Sequence, residues 1–131
     1  MSHVTALGQV AIPVSDVARS LAWYRDVLGL AFLFEAPPGL AFLRGGEVRV
    51  MLARPEDGRA PTVGGTVLYW RVADLEAAHA HAVAQGARSA HAPHRVAVMP
   101  DHELWMAFLH DPDGHLVGLM AEHPLPVSAP G

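Results

Sequence analysis

Nine histidines in a chain of 131 residues raise the question of metal or acid–base chemistry, because imidazole both ligates metals and titrates near neutral pH. Spacing answers it for most of them. His102-Glu103-Leu104-Trp105-Met106 begins like the helical zinc-protease motif, but Met106 stands where the second histidine belongs and the surrounding pattern is that of a strand. His79 and His81 lie two apart on a helical pattern and point to nearly opposite sides, so they cannot share an ion. His91-Ala92-Pro93-His94 can bring two imidazoles together, yet no carboxylate follows nearby, and a solvated surface loop is the expectation. His3, His115 and His123 fall near ends or turns and are expected to be exposed. His110 is the remaining candidate. It alternates with Met106 and Phe108, and if that face borders a pocket it can serve as a catalytic acid or base; otherwise it is an ordinary strand residue. A carboxylate such as Glu103 is the other proton-transfer candidate.

The composition bounds the rest. Hydrophobic residues make up 51% and charged residues 17%, the balance of an ordered globular protein, and the length suits a single domain over residues 1–131. A formal charge of −4 with dispersed Lys and Arg offers no field for a nucleic-acid backbone or a membrane surface. No apolar run approaches the roughly 20 residues of a membrane-spanning helix. The absence of cysteine excludes disulfides and thiolate metal sites and fits a cytoplasmic protein.

The elements that must position any site emerge from an internal repeat. Residues 8–30 line up with residues 66–87: alternating apolar residues lead into Val14-Ser15-Asp16 and again into Val72-Ala73-Asp74. Val10, Ile12 and Val14 form one apolar face at period two, as do Leu68, Trp70 and Val72, so each segment predicts a half-buried strand. Asp16 and Asp74 are suited to cap the helices that follow. Val17, Leu21, Tyr24 and Leu28 recur at helical spacing, and Gly29 and Gly86 suit the left-handed residue that ends many helices. Further strands are expected at 31–35, 40–43 and 48–53, then near 87–91, 104–110 and 115–121. Asp111-Pro112-Asp113-Gly114 has tight-turn chemistry, and Gly118 interrupts the strand after it, as glycine does where a ligand or another backbone comes close. The order strand, helix, strand, strand, strand thus occurs twice: a first module at 7–53, a Pro- and Gly-rich linker at 54–65, a second module at 66–122, and a loose tail at 123–131.

These residues carry a resemblance. The V-x-D strand ends, the Trp23-Tyr24-Arg25-Asp26-Val27-Leu28-Gly29-Leu30 helix end and the Asp-Pro-Asp-Gly turn resemble the vicinal oxygen chelate superfamily. That group includes glyoxalase I, bleomycin-resistance proteins, extradiol dioxygenases and methylmalonyl-CoA epimerases. The likeness spans residues 7 to about 122. It implies an α+β fold in which two tandem βαβββ modules form a curved eight-stranded mixed sheet around a concave cup, with the helices outside. The alternative is an ordinary two-layer α+β sandwich with no cup. One fold hosts many chemistries, so function has to come from the site.

The resemblance also implies where a site lies. Metal-dependent members place ligands on the first and last strands of each module, which correspond here to Gln9, Met51, Val67 and Gly118; such relatives commonly carry a glutamate where this chain has Gly118. Only the glutamine among these offers an oxygen, whereas zinc typically takes about three His, Asp, Glu or Cys ligands and harder ions take oxygens. No metal and no cofactor are therefore expected. By alternation the cup-facing set is Gln9, Arg49 and Met51 from the first module, with Val67, Tyr69, Arg71, Leu116, Gly118 and Met120 from the second. Met106 or Trp105 joins them, depending on register. Arg49 and Arg71 either pair with Glu47, Glu103 or Glu35, or meet an anionic ligand at the rim. Gly118 is expected to leave room for ligand bulk. The leading expectation is a metal-free protein that binds a small organic molecule in the cup, in the manner of the bleomycin-resistance branch. A metal-dependent lyase, isomerase or dioxygenase is the first alternative, and a metal-independent enzyme using His110 or a Glu as acid or base is the second. A homodimer, with modules paired within one chain or exchanged between two, is the expected assembly.

Overall fold

Both aspartates singled out by the repeat open helices. In the computed structural model of the chain, which describes residues 3–126, Asp16 precedes α1 (Val17–Asp26) and Asp74 precedes α2 (Leu75–Ala84). Their carboxylates accept hydrogen bonds from the amides of Arg19 and Ala77, each at 3.0 Å, satisfying donors that a helix start leaves without an intrahelical partner. The chain leaves the helices through Gly29 at φ 75° and Gly86 at φ 92°, left-handed conformations that cost glycine little.

Around α1 run β1 (Gln9–Pro13), β2 (Ala31–Ala36), β3 (Leu40–Gly45) and β4 (Val48–Ala53); around α2 run β5 (Leu68–Arg71), β6 (Arg88–Val98), β7 (His102–His110) and β8 (Leu116–Pro124). Each set is a βαβββ module with its own four-stranded mixed sheet, ordered β1-β4-β3-β2 and β5-β8-β7-β6. The first and last strands of each module pair in parallel, and the remaining neighbours are antiparallel. The chain divides into two compact units between Val63 and Gly64.

Alternation decides which face of each sheet is covered. In the first module α1 packs on β3 and β4, burying Leu21 and Tyr24 with Leu43, Val50 and Leu52. In the second, α2 packs on β6, β7 and β8, and Leu75 and Ala82 are buried with Leu109, Val117 and Leu119. Each large aliphatic side chain so buried contributes about 1.5–3 kcal/mol. The residues between them point to the opposite face of each sheet.

The turn before β8 is built by a side chain. Asp111 is 2% exposed, and its Oδ1 accepts from the amides of Asp113 and His115, both at 2.9 Å, while Gly114 takes φ 91°. His115 is accordingly half-buried rather than exposed.

Two other expectations are corrected. The His91-Ala92-Pro93-His94 stretch is part of β6, not a surface loop. An edge strand tolerates the proline, and the register shifts between Ser89 and His91, His91 and His94, and Arg95 and Ala97 absorb the irregularity as bulges do. The tail expected from 123 starts later, because His123 and Pro124 pair with Glu103 and His102 at the end of β8; residues 127–131 of that tail lie outside the described residues. No helix among the described residues is long and apolar enough to cross a membrane.

Candidate functional site

On the first module's face away from α1, strand register sets two rows. Gln9, Arg49 and Arg44 stand side by side on β1, β4 and β3, and Ala11, Met51, Phe42 and Phe34 form the next row. Gln9 is held there by two neighbours: its Oε1 accepts from Arg49 Nε at 2.6 Å and its Nε2 donates to Met51 Sδ at 3.9 Å. The Arg49 guanidinium lies 5.3 Å from the centre of the Phe42 ring, within cation–π range, and Phe34 stacks on Phe42 at 4.6 Å. Phe42, on the side away from the helix, is buried because these two neighbours cover it.

The corresponding face of the second module answers why a glycine interrupts β8. A Cβ on Gly118 would stand 2.6 Å from Tyr69 Cδ1 and 2.9 Å from Tyr69 Cε1, closer than side-chain atoms approach. Tyr69 is the register partner of Gly118 on β5, and its ring lies over the space a side chain would fill. The expectation that Gly118 leaves this space to a ligand is therefore corrected: the chain's own tyrosine takes it, and Tyr69 is itself 47% exposed. Phe108, on the other side of Gly118, meets Tyr69 edge-on at 5.9 Å. Met120, Met106 and His94 form the adjoining row. Met106, not Trp105, thus shares this face; Trp105 points the other way and stacks on His123 at 5.7 Å.

His91 and His94 come together at the edge of that face, with ring centres 3.8 Å apart. Both Nδ1 atoms lie within hydrogen-bonding distance of the Ala92 carbonyl, at 3.0 and 2.9 Å. A carbonyl only accepts, so it is Nδ1 of each ring that donates in these contacts. Leu116 is exposed, and Val67, immediately before β5, is half-buried. His110 is half-buried on the Met106 and Phe108 side of β7, and its buried Nδ1 has no hydrogen-bond partner among the described residues.

The arginines find other partners than the glutamates proposed for them. Arg49 bonds Gln9, as above, and Arg71 pairs with Glu122 at 3.6 Å with most of its side chain exposed. Glu103 belongs to the opposite face of β7, where Trp105 Nε1 and Arg95 donate to it at 3.2 and 3.1 Å. Those two hydrogen bonds, Trp105's first, hold its carboxyl below the usual glutamate range. It is removed from the face that carries His110, and the proton-transfer role considered for it has no support in this geometry.

The four positions implied by metal-dependent relatives do not fit a divalent ion. In the first module the one oxygen donor, Gln9 Oε1, is bonded to a cation, and its neighbour is a thioether, a weak partner for hard ions. In the second, Val67 offers no donor, and Tyr69 blocks any side chain at position 118. Among the described residues no group of three or more His, Asp or Glu is placed to hold a metal. Sequence reasoning missed Phe34, Phe42 and Arg44 in the first module; in the second it set His91 and His94 in a surface loop and left Phe108, on the His110 side of its strand, out of the cup-facing set.

Comparison with known proteins agrees with this architecture. The chain is similar in structure to a lactoylglutathione lyase from Agrobacterium tumefaciens, with a TM-score of 0.73 at 22% identity over 92% of this chain and 96% of that one. It is also similar to TnmS3, an antibiotic binding protein from Streptomyces sp. CB03234, with a TM-score of 0.71 at 20% identity over 93% and 99% of the two chains. A superfamily member from Sphaerobacter thermophilus gives 0.72 at 23% identity, covering 91% and 98%. Likeness at these identities establishes the fold. No curated protein matches the sequence. The family model described as Glyoxalase/Bleomycin resistance protein/Dioxygenase superfamily matches residues 6–119, and the chain belongs to that superfamily.

Proposed function

We propose that this protein binds a small organic molecule against the sheet faces its helices leave uncovered, without the metal ion that many members of the superfamily use. The observation that carries the reading is the Tyr69 ring lying over Gly118. It replaces a coordinating side chain with an aromatic surface, and Phe108, Met106 and Met120 extend that surface with apolar, adaptable groups. On the corresponding face of the first module, the Arg49 guanidinium beside Gln9 and the Met51 thioether offer a polar and adaptable surface of their own. The structural likeness to an antibiotic binding protein is compatible with this use of the fold. Assembly as a homodimer belongs to the same reading, and light scattering should return about twice the 14.0 kDa of the chain.

The test is native mass spectrometry of the purified protein, followed by identification of anything released on gentle denaturation and NMR mapping of whatever binds. A stoichiometric organic ligand that shifts the signals of Tyr69, Phe108 and Met120, and is lost in Tyr69→Ala, is expected. Binding that maps to the helices, or turnover that requires an added divalent metal, contradicts the proposal.

A further inference from the structure

We infer that the ligand held by the first module is an organic anion, an oxyanion group carried on a flat apolar body, seated beside Arg44 and Arg49. The inference rests on the binding role proposed above and narrows it to a chemical class. Arg44 and Arg49 are register partners on neighbouring strands and share one sheet face. Like charges set directly opposite each other are destabilising, and neither arginine has an ion-pair partner among the described residues. Arg49 commits only Nε, to Gln9, so its terminal nitrogens stay available, as does the whole Arg44 guanidinium.

Both arginines line one open recess of about 560 Å³, with Gly8, Gly46 and Phe34 on its walls. This volume lies within the range of small-molecule sites, roughly 300–1,000 Å³. Glu47, at the turn end of the same recess, forms no ion pair with either arginine. Phe34 is 45% exposed and rests on Phe42 with ring planes 27° apart, so its outer side offers a platform beside the guanidinium groups. The bulge between Phe32 and Phe34 is what turns Phe34 to this face. Two forked donors over a flat aromatic wall match a carboxylate, sulfonate or phosphate joined to an aromatic or otherwise planar body.

The experiment compares 2-naphthoate with 2-naphthamide, which share a ring system and differ in charge, by isothermal calorimetry and by NMR of backbone amides and arginine Nε–H groups. Naphthoate should bind about tenfold more tightly than the amide and shift the Arg44 and Arg49 Nε–H signals. Arg44→Met and Arg49→Met should each remove most of that advantage. Equal binding of the two compounds at the Gln9 and Met51 face overturns the anion preference but leaves the binding role standing. Naphthoate binding that does not move the arginine signals also overturns the inference. Failure of both compounds to bind at millimolar concentration counts against the inference and the binding role together.

Discussion

The two modules meet the same position with opposite volumes. Where first and last strands pair, the first module sets Ala11 beside Met51 and the second sets Tyr69 beside Gly118: small against long, then large against nothing. Two residues earlier the contrast is chemical. Gln9 and Arg49 form a hydrogen-bonded polar pair, whereas the corresponding positions of the second module hold Val67 and Leu116. A duplicated backbone has thus been given one face where arginines lie beside a stacked aromatic pair and one where an aromatic pair has apolar neighbours. Positions that the fold can use for metal ligands serve here as complementary packing partners.

The modules also differ in how they turn between their last two strands, and the largest effect is expected there. Asp111→Ala strips the acceptor from two amides beside a nearly buried group and should cost about 3 kcal/mol in urea unfolding. Glu47→Ala, in the glycine-based turn of the first module, should change stability by less than about 0.5 kcal/mol. Comparable losses would mean that the two turns are held alike.

Gly118→Ala comes next. Its new methyl meets the Tyr69 ring, and overpacking of this kind should cost about 2 kcal/mol. In a Tyr69→Ala background the same change should become neutral or mildly stabilising, since alanine restricts the unfolded chain more than glycine. The same penalty in both backgrounds would break the pairing of large against nothing.

The helix caps sharpen the comparison from the other side, because there the modules are equivalent. Asp16→Ala and Asp74→Ala each remove one carboxylate-to-amide bond of 3.0 Å and should each cost about 1 kcal/mol; a several-fold difference would show that one helix depends on its cap more than the other. The smallest effect is electrostatic. The folded pKa of Glu103 lies below its ordinary 4.5, so the stability it contributes is present above that value and is lost as pH falls through the lower folded one. Glu103→Gln should therefore flatten the decline in melting temperature between about pH 5 and about pH 3, and an unchanged acid slope would show that Trp105 and Arg95 do not hold this carboxylate.

How much was legible in the sequence follows from where period and chemistry act locally. The Asp16 and Asp74 caps, Gly29 and Gly86, the Asp111 turn and the alternation along β1, β4, β5 and β8 are set by residues a few positions apart, and both modules could be read from them. The His91–His94 stretch was not, because its bulges and its proline hide a strand whose pairing is irregular. Phe34, Phe42 and Arg44 escaped for a related reason: β3 is apolar on both faces, and the bulge in β2 shifts parity at Leu33. The interior Gly118 was recognised as a place of close approach, but that the approaching group is Tyr69 depends on register across strands about 50 residues apart in sequence, which no local pattern encodes. None of the glutamates offered as one reading for Arg49 is its partner, because charge count points to a carboxylate while pairing places an amide oxygen and an aromatic ring beside it.

The central claim is that the positions used for metal coordination elsewhere in the superfamily carry packing and cationic groups here. Equilibrating the protein with nickel, zinc, manganese and ferrous ions, desalting it, and counting bound metal by mass spectrometry beside the Gln9→Ala variant tests this directly. The account predicts no stoichiometric ion in either protein. One ion per chain in the parent, lost in Gln9→Ala, would contradict it.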